Sequence, residues 1–469
     1  MEPAVIGDCN SWGSARPVRF RPLRAARSLS FASRPNIDAC RNTSLAGSEP
    51  NLHSTVSKRR DATSTMSLFT RTNLTLNQPM LFRNAHLIFS DRIAPRGSVR
   101  VVDGRIATLV EYDLAPEPGE ESVDLSGYFL APGFIDLHIH GAVHRDTMEA
   151  DADAFRAICR HHATGGTTAL ALTTVCATSE QIVRVLTSVS RFRTEPVVGS
   201  RVLGVHVEGP YFSPEKPGAH RIDLIRHPKR AEYDEWLLHA GCITQMTLAP
   251  ELPGALELIE ALNEAGVRVS GGHSDAWDED AAAAFAHGMR QVTHTFNCMS
   301  SARRRGAFRV AGLLEFALGE PEILCELIAD AKHVSPTLMR MLYQAKGPDG
   351  IALVTDAAAG AGLAEGERFK LGDIEGIVRD EVALTADEKA LCSSTATMDR
   401  LVRNMVQIVG VPLHEAVRMA TLNPARALGL SERKGVLEVG ADADLVVLTH
   451  ELQAAATYVG GEKVFGTAK

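Results

Sequence analysis

Five short stretches of this chain pair histidine with carboxylate or place one of them after an apolar run: Asp136-Leu137-His138-Ile139-His140, His206-Val207-Glu208, Gly272-His273-Ser274, Thr293-His294-Thr295 and Val354-Thr355-Asp356. Imidazole and carboxylate together suit one or two divalent ions of the zinc or iron type, and a spare carboxylate suits proton transfer. Residues two apart on a strand point the same way, so His138 and His140 would share a face. Taken singly, each motif has an ordinary reading. A strand-end histidine such as His206 is more often structural, His-x-His arises on any alternating strand, and Asp356 suits a helix N-cap. Their recurrence at the ends of five separate strands argues for a shared site.

Those residues need strands that end together. Eight candidate strands run from Phe134 to His140, Thr167 to Val175, Val202 to Glu208, Ile243 to Leu248, Val267 to Ser270, Gln291 to Thr295, Glu326 to Ala329 and Ile351 to Thr355. Helical spacing fills most gaps, as in Ala255 to Ala265 and Pro336 to Lys346. The alternation predicts an α/β protein whose core is a TIM-type (β/α)8 barrel, with polar residues at the C-terminal mouth. Alternating apolar stretches flank it, with Asp103-Gly104 as a hairpin turn near one end and Gly460-Gly461 near the other. They predict a small β-sandwich domain built from both chain ends. The expected boundaries are an N-terminal extension over 1–77, the first part of the small domain over 78–132, the catalytic barrel over 133–431 and the second part over 432–469.

Charge and composition exclude other classes. The 469 residues carry a net charge of -8 from 49 Lys and Arg against 57 Asp and Glu. The first 65 residues hold ten basic and five acidic side chains, so the remainder stands at -8 - 5 = -13. An acidic body argues against nucleic-acid or membrane-surface partners. No apolar run reaches the roughly 18 residues needed to span a bilayer. Eight scattered cysteines without a C-x-x-C pair suggest neither zinc knuckle nor disulfide framework, and point to a reducing cytoplasm. The Arg-, Ser- and Pro-rich start reads as disordered. A transit peptide, or translation from Met66, are the alternatives.

The stretch Ala131-Pro132-Gly133-Phe134-Ile135-Asp136-Leu137-His138-Ile139-His140-Gly141 resembles the opening motif of the amidohydrolase superfamily, and Gly435 to Val446 resembles its closing one. The inner motifs are narrower: His206-Val207-Glu208-Gly209-Pro210-Tyr211, Thr247-Leu248-Ala249-Pro250-Glu251, Gly271-Gly272-His273-Ser274-Asp275-Ala276, Thr293 to Met299, Ile328-Ala329-Asp330 and Leu353 to Ala357. In order, and across Leu81 to Phe465, they are similar to the N-acetylglucosamine-6-phosphate deacetylase family.

That resemblance implies a metal-dependent hydrolase that cleaves the acetamide of a small amino-sugar phosphate. It implies Glu208, His273 and His294 as ligands of a principal ion, with His138 and His140 available for a second. Asp356 matches the family's acid/base, and His220, next to Ala219, matches a histidine beside the acetamide carbonyl. Asn297, Cys298 and His333 match substrate contacts, and Leu391-Cys392-Ser393 matches a loop that closes over the substrate. Arg305 matches an arginine supplied to the phosphate from a neighbouring subunit, which implies a homodimer. Departures from the pattern lie on the sugar side: Cys298 where Ala is usual, Ala331 and Ser393 where Gly is usual, and Ser300 to Phe308 in place of an Arg-Glu-Pro-Gly run. The hydrolytic chemistry is thus better marked than the sugar. The rivals are an amidohydrolase for another N-acyl compound, such as N-acetylgalactosamine 6-phosphate, and a non-catalytic barrel. Cyclic-amide members commonly use a carboxylated lysine where this chain has Glu208.

Overall fold

The computed structural model describes residues 79–466. The expectations for the N-terminal extension fall outside the described residues. All eight barrel strands are present: β1 Phe134–Ile139, β2 Thr167–Thr173, β3 Arg201–Glu208, β4 Ile243–Leu248, β5 Arg268–Gly271, β6 Gln291–Val292, β7 Leu324–Leu327 and β8 Ile351–Leu353. Each pairs in parallel with the next. The sheet closes where Asp356 N–H donates to the His138 carbonyl (2.9 Å) and His140 N–H to that of Ala357 (2.8 Å). Strands covered on both faces read as continuous apolar runs, and β2 is buried at every position.

Helices pack outside, and their ends follow the local sequence. Ser179–Phe192 starts at Thr178, whose hydroxyl accepts from Gln181 N–H while the Gln181 side chain reaches back. Its Ile182, Val185, Leu186, Val189 and Phe192 form one buried stripe. Pro336–Lys346 begins with proline in its first turn, where the missing N–H costs nothing.

The chain ends build a second, β-rich body. Met80–Ile88, Ile93–Val102, Arg105–Val110, Glu121–Asp124 and Phe129–Pro132 join Leu445–Leu448, Ala454–Val459 and Glu462–Gly466 in one eight-stranded sheet. Phe129–Pro132 runs antiparallel to Leu445–Leu448 and so joins the two ends of the chain. The strands enclose Phe82, Val99, Leu130, Leu445 and Tyr458. Asp103 and Gly104 take φ of +50° and +74°, and Gly460 and Gly461 +58° and +80°, as two-residue hairpin turns of this hand require.

Several segments differ from expectation. Strands β6 and β8 stop earlier than the apolar pattern suggests, because the backbone leaves the ladder before His294 (φ +29°) and Asp356 (φ +49°). Residues 391–393, expected in a loop, lie on a strand, Leu391–Ser394. It is the last of a four-stranded antiparallel sheet with Arg368–Leu371, Ile374–Arg379 and Val382–Thr385. The insertion follows β8 and hangs over the barrel mouth: Ser394 N–H donates to the Asp356 carbonyl at 2.9 Å.

One ion pair holds the seam between the two bodies. Asp444 is nearly buried against the Lys434 ammonium, and its other carboxylate oxygen accepts from Gly460 N–H at 2.8 Å. Its carbonyl accepts from Gly133 N–H, just before β1, at 2.8 Å. Removing one partner of a buried pair leaves an uncompensated charge. Lys434→Met should therefore lower unfolding free energy by about 3–5 kcal/mol, read by calorimetry; a loss below about 1 kcal/mol, the range of an exposed pair, would show that the seam does not depend on this pair.

Candidate active site

Glu208, at the end of β3, stands between two pairs of imidazoles. Its Oε2 lies 3.4 Å from His138 Nε2 and 3.2 Å from His140 Nε2. Its Oε1 lies 3.4 Å from His273 Nε2 and 3.3 Å from His294 Nε2. Within the pairs the nitrogens are 3.2 Å apart for His138 and His140, and 3.0 Å for His273 and His294. Two nitrogens each about 2.05 Å from a tetrahedral ion stand about 3.3 Å apart. Two ligand groups thus meet on one carboxylate: His138, His140 and Glu208 on one side, and Glu208, His273 and His294 on the other.

The electrostatics call for positive charge at the same place. Burial disfavours a charged imidazole, yet Glu208 and Asp356 outweigh it, holding His138 well above the ordinary histidine range and His140 at about 9. Burial likewise works against a charged Glu208, but His138 and the neighbouring imidazoles hold it well below the usual carboxylate range. Glu208 Oε1 is buried with no hydrogen-bond donor. A buried carboxylate oxygen without a donor, flanked by two imidazole nitrogens, is the environment of a cation ligand. The donor set fits a divalent ion on each side.

Neighbouring groups aim these side chains. His273 Nδ1 donates to the Lys216 carbonyl at 2.9 Å, which turns Nε2 toward Glu208. Asp136, buried in β1, accepts from the Thr355 hydroxyl at 2.6 Å and from Thr355 N–H at 3.2 Å. That clamp ties the end of β8 to β1 and brings Asp356 Oδ1 within 3.2 Å of His140 Nε2. His273, His294 and Asp356 all adopt positive φ, at +47°, +29° and +49°, a conformation non-glycine residues adopt only when held. Asp356 is held by Ser393, whose hydroxyl donates to its carbonyl. His206 stays outside the cluster: its Nε2 pairs with Thr247 Oγ1 at 2.7 Å, so the structural reading of that histidine applies.

An amidohydrolase family model matches residues 129–465. The chain belongs to the amidohydrolase family. These enzymes are metal-dependent, in keeping with the histidine and carboxylate groups described above. The protein is 38% identical to the N-acetylglucosamine-6-phosphate deacetylase of Mus musculus over 354 residues, covering 74% of this chain and 86% of that one. It is 34% identical to the N-acetylgalactosamine-6-phosphate deacetylase of Escherichia coli O157:H7 over 366 residues, 78% of this chain and 93% of that one. A structure of a mutant N-acetyl-D-glucosamine-6-phosphate deacetylase from Mycobacterium smegmatis, in complex with N-acetyl-D-glucosamine-6-phosphate, superposes with a TM-score of 0.77 at 32% identity, covering 83% of this chain and all of that one.

In this amidohydrolase a cavity of about 240 Å³ opens over the cluster. Of the candidate residues read from the sequence, His140, Glu208, Ala219, His220, His273, His294, Asn297, Cys298, His333, Asp356, Leu391, Cys392 and Ser393 line it. His138 lies beneath them, fully buried. Arg305 is not in the lining of its own chain. It sits on the hairpin Arg303–Arg305 and Phe308–Val310, half exposed, paired with Glu279 at 2.6 Å and 4.0 Å from the centre of the Trp277 ring.

Two histidines in the cavity have defined protonation. His220 Nδ1 accepts from Cys176 N–H at 3.2 Å, so its proton is on Nε2, 3.5 Å from Glu208. Burial pushes its pKa down to about 4, which keeps it neutral. Burial also opposes charge on His333, but Asp330, 2.7 Å from its Nδ1, outweighs it and raises the pKa above the ordinary range. Ala331, between them, takes φ of +62°, which explains why glycine is the natural choice there.

Sequence reasoning missed three contributors: Leu371, which lines the cavity from the inserted sheet, the Lys216 carbonyl behind His273, and Glu326, 3.3 Å from His138 Nδ1. Only Glu326 left a signal, as a lone carboxylate inside the buried run Leu324-Cys325-Glu326-Leu327. Glu208→Gln should reduce the bound metal of chelator-stripped, zinc-reloaded protein, measured by atomic emission, to well under half that of the wild type. An unchanged metal content would remove Glu208 from the ligand set.

Proposed function

We propose that this amidohydrolase hydrolyses the acetamide of N-acetylglucosamine 6-phosphate to glucosamine 6-phosphate and acetate, with Glu208, His273 and His294 holding one divalent ion, zinc or iron, and His138, His140 and Glu208 holding a second. The observation that carries the reading is Glu208 between two imidazole pairs with Asp356 3.2 Å from His140. An amide resists hydrolysis because its carbonyl is a poor electrophile and its amine a poor leaving group. A divalent ion bound there polarises the carbonyl and lowers the pKa of water toward about 7.

The remaining work falls to side chains. Asp356 is a carboxylate at neutral pH: burial opposes its charge, but His138 and His140 hold its pKa below the usual carboxylate range. Its carboxylate accepts the proton of the attacking water and returns it to the departing amine nitrogen, serving as base and then acid. His220, neutral with its proton on Nε2, donates to the amide oxygen as negative charge develops on it. A neutral donor suits this task, because it stabilises an oxyanion without surrendering its proton to a nearby carboxylate.

The phosphate is anchored away from the reacting carbon, which converts binding energy into orientation. Asn297, Cys298 and His333 supply polar contacts from the same chain. No lysine or arginine lines the cavity among the described residues, so a dianionic group there is short of a cation. Arg305, on its projecting hairpin, supplies that cation across a homodimer interface, and guanidinium suits phosphate through its paired donors. Leu391, Cys392 and Ser393 cover the substrate from the inserted sheet. The six described cysteines are free thiols, which supports a cytoplasmic location.

Acetate release by metal-loaded protein from N-acetylglucosamine 6-phosphate and N-acetylgalactosamine 6-phosphate, measured side by side, tests the reading. Faster turnover of the second sugar would reassign the substrate, and no release from either would favour a non-catalytic barrel. Asp356→Asn should keep bound metal and lower kcat by roughly 10²–10⁴-fold; near-normal kcat would exclude it as the proton carrier. Arg305→Ala should raise KM for the phosphorylated sugar much more than for N-acetylglucosamine, and an equal rise for both would dissociate Arg305 from the phosphate.

A further inference from the structure

Beneath the histidine cluster, a file of buried polar side chains crosses the barrel interior. Arg268 on β5 donates from Nε to Gln291 Oε1 at 2.6 Å. Gln291, on β6, donates from Nε2 to Gln245 Oε1 at 2.9 Å and to Glu326 Oε1 at 2.6 Å. Gln245, on β4, donates from Nε2 to the same Glu326 oxygen at 2.8 Å. The other oxygen of Glu326 faces His138 Nδ1 at 3.3 Å and His294 N–H at 3.4 Å. Gln245, Gln291, Glu326 and His138 are fully buried, so each group must find its partner inside the file.

The sense of every bond follows from one end. A guanidinium only donates, so Gln291 must turn its oxygen to Arg268 and its NH₂ to Gln245 and Glu326. Gln245 then has its oxygen committed to Gln291 and turns its NH₂ to Glu326. Two amide donors occupy Oε1 of Glu326. Oε2 remains, and a carboxylate oxygen only accepts, so His138 must carry its proton on Nδ1. Nε2, which faces Glu208 and His140, is then the nitrogen left to bind a cation.

We infer that Glu326 is a positioning residue that selects the Nδ1–H tautomer of His138 and so equips the His138, His140 and Glu208 group to bind a divalent ion, with Gln245 and Gln291 holding its other oxygen in place. The inference rests on the reading of this pocket as a metal-dependent deacetylase centre. The tautomer it selects is on one side of Glu208: on the other, His294 meets Glu326 only through its backbone N–H, and the His273 ring takes its orientation from the Lys216 carbonyl. Glutamine has nearly the shape of glutamate but cannot replace it. Its NH₂ would face either His138 Nδ1, forcing the proton to Nε2, or the two amide donors of Gln245 and Gln291.

The test is calorimetric titration of zinc(II) into chelator-stripped full-length protein, with acetate release assayed separately. Glu326→Gln should weaken zinc binding at the His138 and His140 side by roughly 10–100-fold, the usual effect of losing a partner behind a metal-binding histidine, and leave the other binding event unchanged. An isotherm superimposable on that of the wild type overturns the inference. If Glu326→Gln does not fold, the wild type decides: in the zinc-loaded protein the nitrogen NMR signals of His138 should show Nδ1 protonated and Nε2 bound to zinc, and coordination through Nδ1 overturns the inference. Wild-type protein that binds zinc but releases no acetate would refute the deacetylase reading instead, independently of the variants.

Discussion

Glu208 offers one carboxylate oxygen to each of two imidazole pairs, and much of the barrel is arranged so that this contact can exist. A buried carboxylate next to a second one, Asp356, would be driven to protonate in an apolar interior. Four imidazoles within 3.4 Å of Glu208 prevent that, and they do so by demanding positive charge in return. The raised pKa values of His138 and His140 and the donor-free oxygen of Glu208 express one imbalance, of the kind a divalent cation relieves.

Positioning such a cluster requires backbone that regular strands do not supply. His273, His294 and Asp356 all lie just beyond a strand end in left-handed conformation. The surrounding structure holds them there by local means: the Asp136 and Thr355 clamp across the β1–β8 seam, the Ser393 hydroxyl on the Asp356 carbonyl, and the Lys216 carbonyl behind His273. The inserted four-stranded sheet thus has two tasks, since it lines the cavity and also fixes the turn that presents Asp356. Lys434 and Asp444 do the equivalent work at the foot of β1, where both chain ends meet the barrel.

Much of the site was legible in the sequence because its ligands are chemically distinctive and sit in motifs of few residues. His138-Ile139-His140 needs only the two-residue period of a strand to place both rings on one face. The eight barrel strands were legible for a similar reason: burial on both faces leaves uninterrupted apolar runs. The ends of β6 and β8 were not, since apolar pattern continues through Thr295 and Thr355 while the backbone turns away earlier. The strand at Leu391–Ser394 was hidden because its partners are an antiparallel excursion of short, mixed strands with no strong periodicity. Glu326 reads as an isolated acid in an apolar strand, and no local rule says that Gln245, Gln291 and Arg268 converge on it.

The sequence by itself determined the kinds of donor available, their order along the chain and the alternation that makes a parallel barrel, because residue chemistry and period are local properties. Tertiary structure alone decided which oxygen of Glu208 faces which histidines, which nitrogen of His220 carries the proton, and that Arg305 is not in the lining of its own chain's cavity. Those are questions of distance and direction between residues tens to hundreds of positions apart. Only closure of the barrel brings them within hydrogen-bonding reach.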